Sequence, residues 1–182
     1  AQADRIARVF AEAVGPVLDP PERRVDLRDQ LALPVARPEL VRPLCFARRA
    51  IRKIGVRNDG DVAKFDREML ESLGQASFVT STPWYDAPTK FEGVPMDKLM
   101  QKVGATGEKI TVVALNDYSS ELPIDDFAKF GVILALKRNG EYMPVRDKGP
   151  LFIVYPYDSD PALKQQRFYS RSAWQVASIV VK

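Results

Sequence analysis

From residue 53 onward, apolar and polar positions change period at regular intervals, and the changes mark out short elements. The Asn58-Asp59-Gly60-Asp61 run reads as a turn. A helix is predicted near residues 66–73, with Met69 and Leu70 inward and Gly74 as its stop. Ser77–Thr82 is rich in β-branched residues and predicts a strand. After Pro95, the residues Met96, Leu99, Met100 and Val103 fall on one helical face that Gly104 closes. Lys109–Leu115 predicts a short central strand, and Pro123 opens a helix with Ile124, Phe127 and Phe130 inward. Val132–Leu136 reads as a buried strand, and Asn139-Gly140 is a hairpin turn of the type that needs positive φ. Leu151–Tyr155 and residues 173–181 predict two further strands. Short strands interleaved with short helices predict a mixed α+β domain.

The first 52 residues follow other rules. Arginine and proline dominate, and strand signals are poor. Ile6, Val9, Phe10, Ala13 and Val14 recur at helical spacing, which predicts an amphipathic helix over residues 4–14, ending before Pro16. A second helix is expected around Pro38–Arg52, carrying Leu40, Val41, Leu44 and Cys45 on one face and Arg48, Arg49 and Arg52 beside it. Residues 1–52 are therefore read as an Arg/Pro-rich, partly helical extension, and residues 53–182 as the main domain. A competing explanation is that the extension departs from the natural sequence, for example through an altered reading frame.

Composition narrows the chemistry. The chain has 182 residues and contains no histidine, which removes the commonest general base and the commonest metal ligand together. Its single cysteine, Cys45, rules out an internal disulfide and a Cys-rich zinc site. Residues 1–52 hold ten arginines, no lysine and seven acidic residues, whereas residues 53–182 carry seventeen basic and seventeen acidic residues. A neutral main domain argues against nucleic-acid binding there. No apolar run approaches the roughly 18–20 residues of a membrane span, so no membrane insertion is expected. The opening Ala1-Gln2-Ala3 is compatible with cleavage after a small residue, which leaves a removed signal peptide open.

Five short motifs occur in order: Ser81-Thr82-Pro83-Trp84, Phe91-Glu92-Gly93-Val94, Asn116-Asp117-Tyr118-Ser119, Val145-Arg146-Asp147-Lys148-Gly149-Pro150-Leu151 and Ser170-Arg171-Ser172-Ala173-Trp174. Together they resemble the molybdopterin-binding domain of the sulfite oxidase family, specifically its small bacterial members that lack the metal-ligating cysteine. The resemblance implies the α+β fold of that domain, with mixed β-sheets and short helices. Enzymes of the family hold molybdenum through a cysteine thiolate near the first motif, and here that segment contains no cysteine. A hydroxyl is no substitute for a soft, charged thiolate at neutral pH.

The resemblance implies a pterin ligand, with molybdopterin as the larger alternative and molybdenum not expected. Thr80, Ser81, Thr82 and Trp84 would offer hydroxyls and a stacking ring. Asn116, Asp117 and Tyr118 would pair with the edge of the heterocycle, although Asn-Asp after a strand also suits a plain Asx turn. Arg146 would border the cleft, and Ser170, Arg171 and Ser172 would take the polar or anionic tail. Tyr155, Tyr157 and Tyr169 add amphipathic surface. Similar proteins are bacterial periplasmic pterin-responsive regulators, which implies a non-catalytic sensor acting on the periplasmic domain of a membrane-bound enzyme of cyclic-di-GMP metabolism. Two other outcomes stay open: a molybdopterin-dependent oxidoreductase of unusual ligation, and a scaffold whose former pocket has become an interaction surface. Cys45 lies outside the resembling region and is read as a structural thiol.

Overall fold

A computed structural model describes residues 44–46, 54–60 and 62–182, which belong to a compact unit spanning Val41–Lys182. The helix expected over residues 4–14 lies outside the described residues. Two five-stranded sheets carry the fold. The first contains β1 (Leu44–Phe46), β2 (Ala63–Phe65), β5 (Lys109–Ala114), β6 (Ser119–Pro123) and β10 (Val176–Val181), in the order β2-β1-β10-β5-β6. β1 runs parallel to β10, with Cys45 opposite Ser178, and the other pairs are antiparallel. The second contains β3 (Ala76–Thr82), β4 (Tyr85–Pro95), β7 (Ile133–Arg138), β8 (Glu141–Tyr142) and β9 (Phe152–Val154). Its order is β3-β4-β7-β8, and β9 pairs with the start of β7.

Four short helices complete the described residues: α1 (Arg67–Ser72), α2 (Met96–Lys102), α3 (Asp125–Phe130) and α4 (Gln166–Arg171). The Asp66 side chain caps α1 by accepting from the Met69 backbone N–H at 2.8 Å. In α2, Met96, Leu99, Met100 and the following Val103 are all buried, so its apolar stripe lies against the core as the spacing predicts. The Asn139-Gly140 turn has φ of 51° and 89°, matching the hairpin geometry read from the sequence. Residues 133–136 of β7 are buried throughout, and Phe91, Phe152, Tyr155 and Tyr157 fill the core beside them.

The structure departs from the expected elements at several points. Residues 44–46, expected on a helix, form the strand β1; three residues bonded on both edges by β2 and β10 follow the ladder rather than the helical spacing of their apolar neighbours. Met69, expected inward, is 37% exposed, because α1 has six residues and room for one inward position, Leu70. Pro123 closes strand β6 instead of opening a helix; α3 starts at Asp125. Strand β4, the longest described, was not read from the sequence at all, since Pro88, Gly93 and Pro95 punctuate it.

Gly93 explains why the second motif needs its glycine. β4 and β7 shift register between Glu92 and Gly93. A Cβ at Gly93 would stand 2.6 Å from the Ala135 Cα and collide with the Leu134 carbonyl. Close backbone approach, not a ligand, fixes this residue.

The two sheets meet at a corner. Ile153 N–H donates to the Ala173 carbonyl at 2.9 Å and Val176 N–H to the Leu151 carbonyl at 3.0 Å, so the segment entering β10 first lies along β9. Gln175 turns that corner with φ of 52°.

Candidate functional site

The β3–β4 hairpin sets out the first part of the site. Thr80 pairs with Thr89 and Thr82 with Tyr85, so these four side chains share the inner face while Ser81 points outward. Thr80 is fully buried, and its Oγ1 accepts from the Asp158 backbone N–H at 3.1 Å. Ser81 is exposed; its backbone N–H donates to Asp158 Oδ2 at 2.6 Å. Thr89 Oγ1 donates to the Ala87 carbonyl at 2.9 Å. Thr82 is 8% exposed, and its Oγ1 is the one buried side-chain polar atom among the described residues with no hydrogen-bond partner.

Trp84 occupies the hairpin tip, half-buried. Its ring stands edge-on to Phe152 and Trp174, each at 5.5 Å between centroids, with Tyr169 at 6.2 Å and Tyr157 at 6.4 Å. Edge-to-face packing of this kind is core packing that also leaves part of the ring accessible.

Next to it, Tyr85 is clasped by charge. The Arg138 guanidinium lies 4.6 Å and the Lys148 ammonium 4.7 Å from its ring centroid. Its hydroxyl donates to Asp147 Oδ1 at 3.2 Å, and Asp147 is paired with Arg138 at 2.7 Å. Burial pushes the phenol above its ordinary pKa, against the opposing hydrogen bond from Arg138. Arg146, one residue earlier, is exposed on a 3₁₀ turn (Val145–Asp147). Gln175 ties this loop to the corner: its N–H donates to the Lys148 carbonyl at 3.1 Å and its Nε2 to the Val145 carbonyl at 2.7 Å.

Asn116, Asp117 and Tyr118 form the exposed β5–β6 connection. Asn116 Oδ1 accepts from the Tyr118 N–H at 3.2 Å, and Asp117 has φ of 64°, so an Asx turn is built here. The loop joins the corner through Leu115, whose N–H donates to the Gln175 carbonyl at 2.9 Å.

In the third group Ser172 is buried, Arg171 is half-buried and Ser170 is exposed. Arg171 ends α4 and its Nη1 pairs with Asp126 Oδ2 at 2.7 Å; Tyr155 donates to the same oxygen at 2.9 Å. Ser172 is buried and hydrogen-bonded to the Tyr157 hydroxyl, and its Oγ donates to the Phe168 carbonyl at 3.2 Å. Ser170 Oγ donates to the Arg167 carbonyl at 3.0 Å, while the Ser170 carbonyl accepts from Ser120 Oγ at 2.8 Å. Burial raises the pKa of both Tyr155 and Tyr157 well above the ordinary phenol range, so both remain protonated at any working pH. Arg171 and Ser172 are engaged by protein partners, and Tyr157 links Ser172 to the ring of Trp84.

The structure thus brings Thr80, Thr82 and Trp84 together with the Arg146 loop, and the corner at Gln175 joins the Asn116–Tyr118 loop to them. Tyr85, Asp158, Gln175 and Asp126 were not read as site residues. Alternation of Tyr85, Thr89 and Phe91 could have disclosed Tyr85; nothing in a single sequence marks the other three.

The chain belongs to the oxidoreductase molybdopterin binding domain family, whose signature covers residues 65–158. In fold it is similar to the sulfane dehydrogenase SoxCD from Paracoccus pantotrophus, at a TM-score of 0.51 and 15% identity, over 66% of this chain. It spans 35% of that chain's length. No curated protein matches it. The α+β architecture of mixed sheets with few short helices is the sulfite-oxidase-type molybdopterin-binding fold.

The metal of that family and the residues present do not agree. Cys45 lies on β1 of the first sheet, between β2 and β10, whereas the hairpin belongs to the second. The hairpin offers hydroxyls, which are hard donors that must lose a proton to ligate strongly. The organic part of the cofactor fits better, since the unpartnered Thr82 hydroxyl, the Trp84 ring and the cations around Tyr85 suit a polar heterocycle.

Proposed function

We propose that this chain is a non-catalytic pterin-binding domain built on the molybdopterin-binding fold. The observation that carries the proposal is the donor set at the β3–β4 hairpin: buried hydroxyls and an accessible indole, with no thiolate in the segment. The ligand is a pterin in a metal-free form. Its occupancy is relayed to the periplasmic domain of a membrane-bound enzyme of cyclic-di-GMP metabolism, by shifting the population of one conformation or complex. That partner and the periplasmic location rest on the motif resemblance. No helix among the described residues is long and apolar enough to cross a membrane.

The family signature over residues 65–158 favours a second reading, a molybdopterin-dependent oxidoreductase that draws its metal ligand from elsewhere in the chain. Elemental analysis and fluorescence of the denatured extract separate the two. The proposal expects a fluorescent pteridine and molybdenum far below one atom per chain from a cofactor-competent host. One molybdenum per chain, lost in Cys45→Ser, would establish the enzyme instead.

A further inference from the structure

Three threonines share the inner face of the β3–β4 hairpin, and two of them are satisfied within the protein. Thr80 Oγ1 accepts from Asp158 N–H, and Thr89 Oγ1 donates to the Ala87 carbonyl. Thr82 Oγ1 is buried with neither donor nor acceptor. Such a group bears its full desolvation penalty without return. Valine has the same branched shape and an equal or better preference for a strand, so packing alone gives no reason for a hydroxyl at this position. The residue ends β3 immediately before the Pro83-Trp84 turn and pairs with Tyr85, the ring held between Arg138 and Lys148. A hydroxyl both donates and accepts, which matches the mixed edge of a pterin ring.

We infer that Thr82 Oγ1 is the hydrogen-bond contact for the heterocycle. This rests on the pterin-binding reading above and assigns the residue that anchors the ligand. Thr82 Oγ1 has no carboxylate or other base within hydrogen-bond reach to take its proton, so it acts as a neutral hydroxyl and not as an alkoxide ligand to a metal.

The test compares the full chain with Thr82→Val and Thr82→Ser, using neopterin and tetrahydroneopterin as probes. Tryptophan fluorescence reads binding, and thermal melting of the ligand-free protein reads the fold. Wild type is expected to bind at least one probe, Thr82→Ser to stay within about threefold, and Thr82→Val to weaken by about tenfold, the loss of one neutral hydrogen bond. The ligand-free Thr82→Val protein should melt at the same or a higher temperature, since an unpaired polar atom has gone. Should valine fail to fold, Thr82→Ala carries the same expectation for binding. Equal affinity of wild type and the folded variant would overturn the inference and leave the pterin-binding reading intact. No binding of either probe by wild type would overturn both. Stoichiometric molybdenum in wild type that disappears in Thr82→Val would overturn the choice of a metal-free ligand.

Discussion

Arg171 and Asp126 show how a residue chosen for one role can be held in another. A guanidinium flanked by two serines at the end of a motif suits an anionic tail, and the sequence allows nothing sharper. In the folded chain that guanidinium lies on Asp126, a buried carboxylate that also receives the Tyr155 hydroxyl. Asp126 is 45 residues away in sequence, so no local pattern announces it. Removing the arginine leaves a buried carboxylate with one donor fewer. Arg171→Ala is therefore expected to lower unfolding free energy by about 1.5–3 kcal/mol, the scale of a hydrogen bond to a charged group. Urea denaturation measures this, and an unchanged midpoint would show that the pair is dispensable. Gly93 makes the same point about backbone. Gly93→Ala should cost about 1–3 kcal/mol by overpacking against Leu134 and Ala135, again read from the denaturation midpoint.

Among elements, legibility depended on whether the apolar period ran unbroken. α2 and β7 were plain because each buries a continuous stripe or run. β4 is hidden because Pro88 and a register shift at Gly93 interrupt its alternation. β1 has the local spacing of a helix, and the pairing partners that make it a strand lie in β10 and β2, information that no window around Cys45 contains. The hairpin of β3 and β4 depends on an equally distant residue. Asp158 accepts from Ser81 N–H and donates its own N–H to Thr80, fastening the edge strand to the loop after Tyr157. The Lys164 ammonium first, then the Ser81 N–H, hold the Asp158 carboxyl below its ordinary pKa of 3.8. A folded pKa below the unfolded one means the stabilisation is complete above the unfolded value and fades as pH falls through the folded one. Asp158→Asn should accordingly melt below wild type at pH 7, with the gap closing on acidification below about pH 3.8. A gap that is the same at pH 7 and pH 2.5 would mean that charge has no part in the fastening.

For the whole molecule, the ordered motifs disclosed the fold class and the family: four lie at turns or element ends, and the second, Phe91–Val94, lies inside β4 where it pairs with β7. Gly93 and Gly149 are required by close backbone contacts, and the loop of Arg146 and the strand end at Trp174 converge on the corner where one sheet passes into the other. What the motifs did not disclose is which polar groups are already spent. Arg171, Ser172 and Thr80 have partners inside the protein, whereas Thr82 does not, and that distinction exists only in three dimensions. The proposed pterin site therefore centres on the β3–β4 hairpin of a molybdopterin-binding fold, where the buried Thr82 hydroxyl has no partner within the protein. Native mass spectrometry of the intact chain, purified without denaturation from a host that makes molybdenum cofactor, tests this most directly. The account predicts a bound species with the mass of a simple pterin, released on activation and reduced in Thr82→Val. A bound mass equal to molybdopterin with molybdenum, unchanged in that variant, would contradict it.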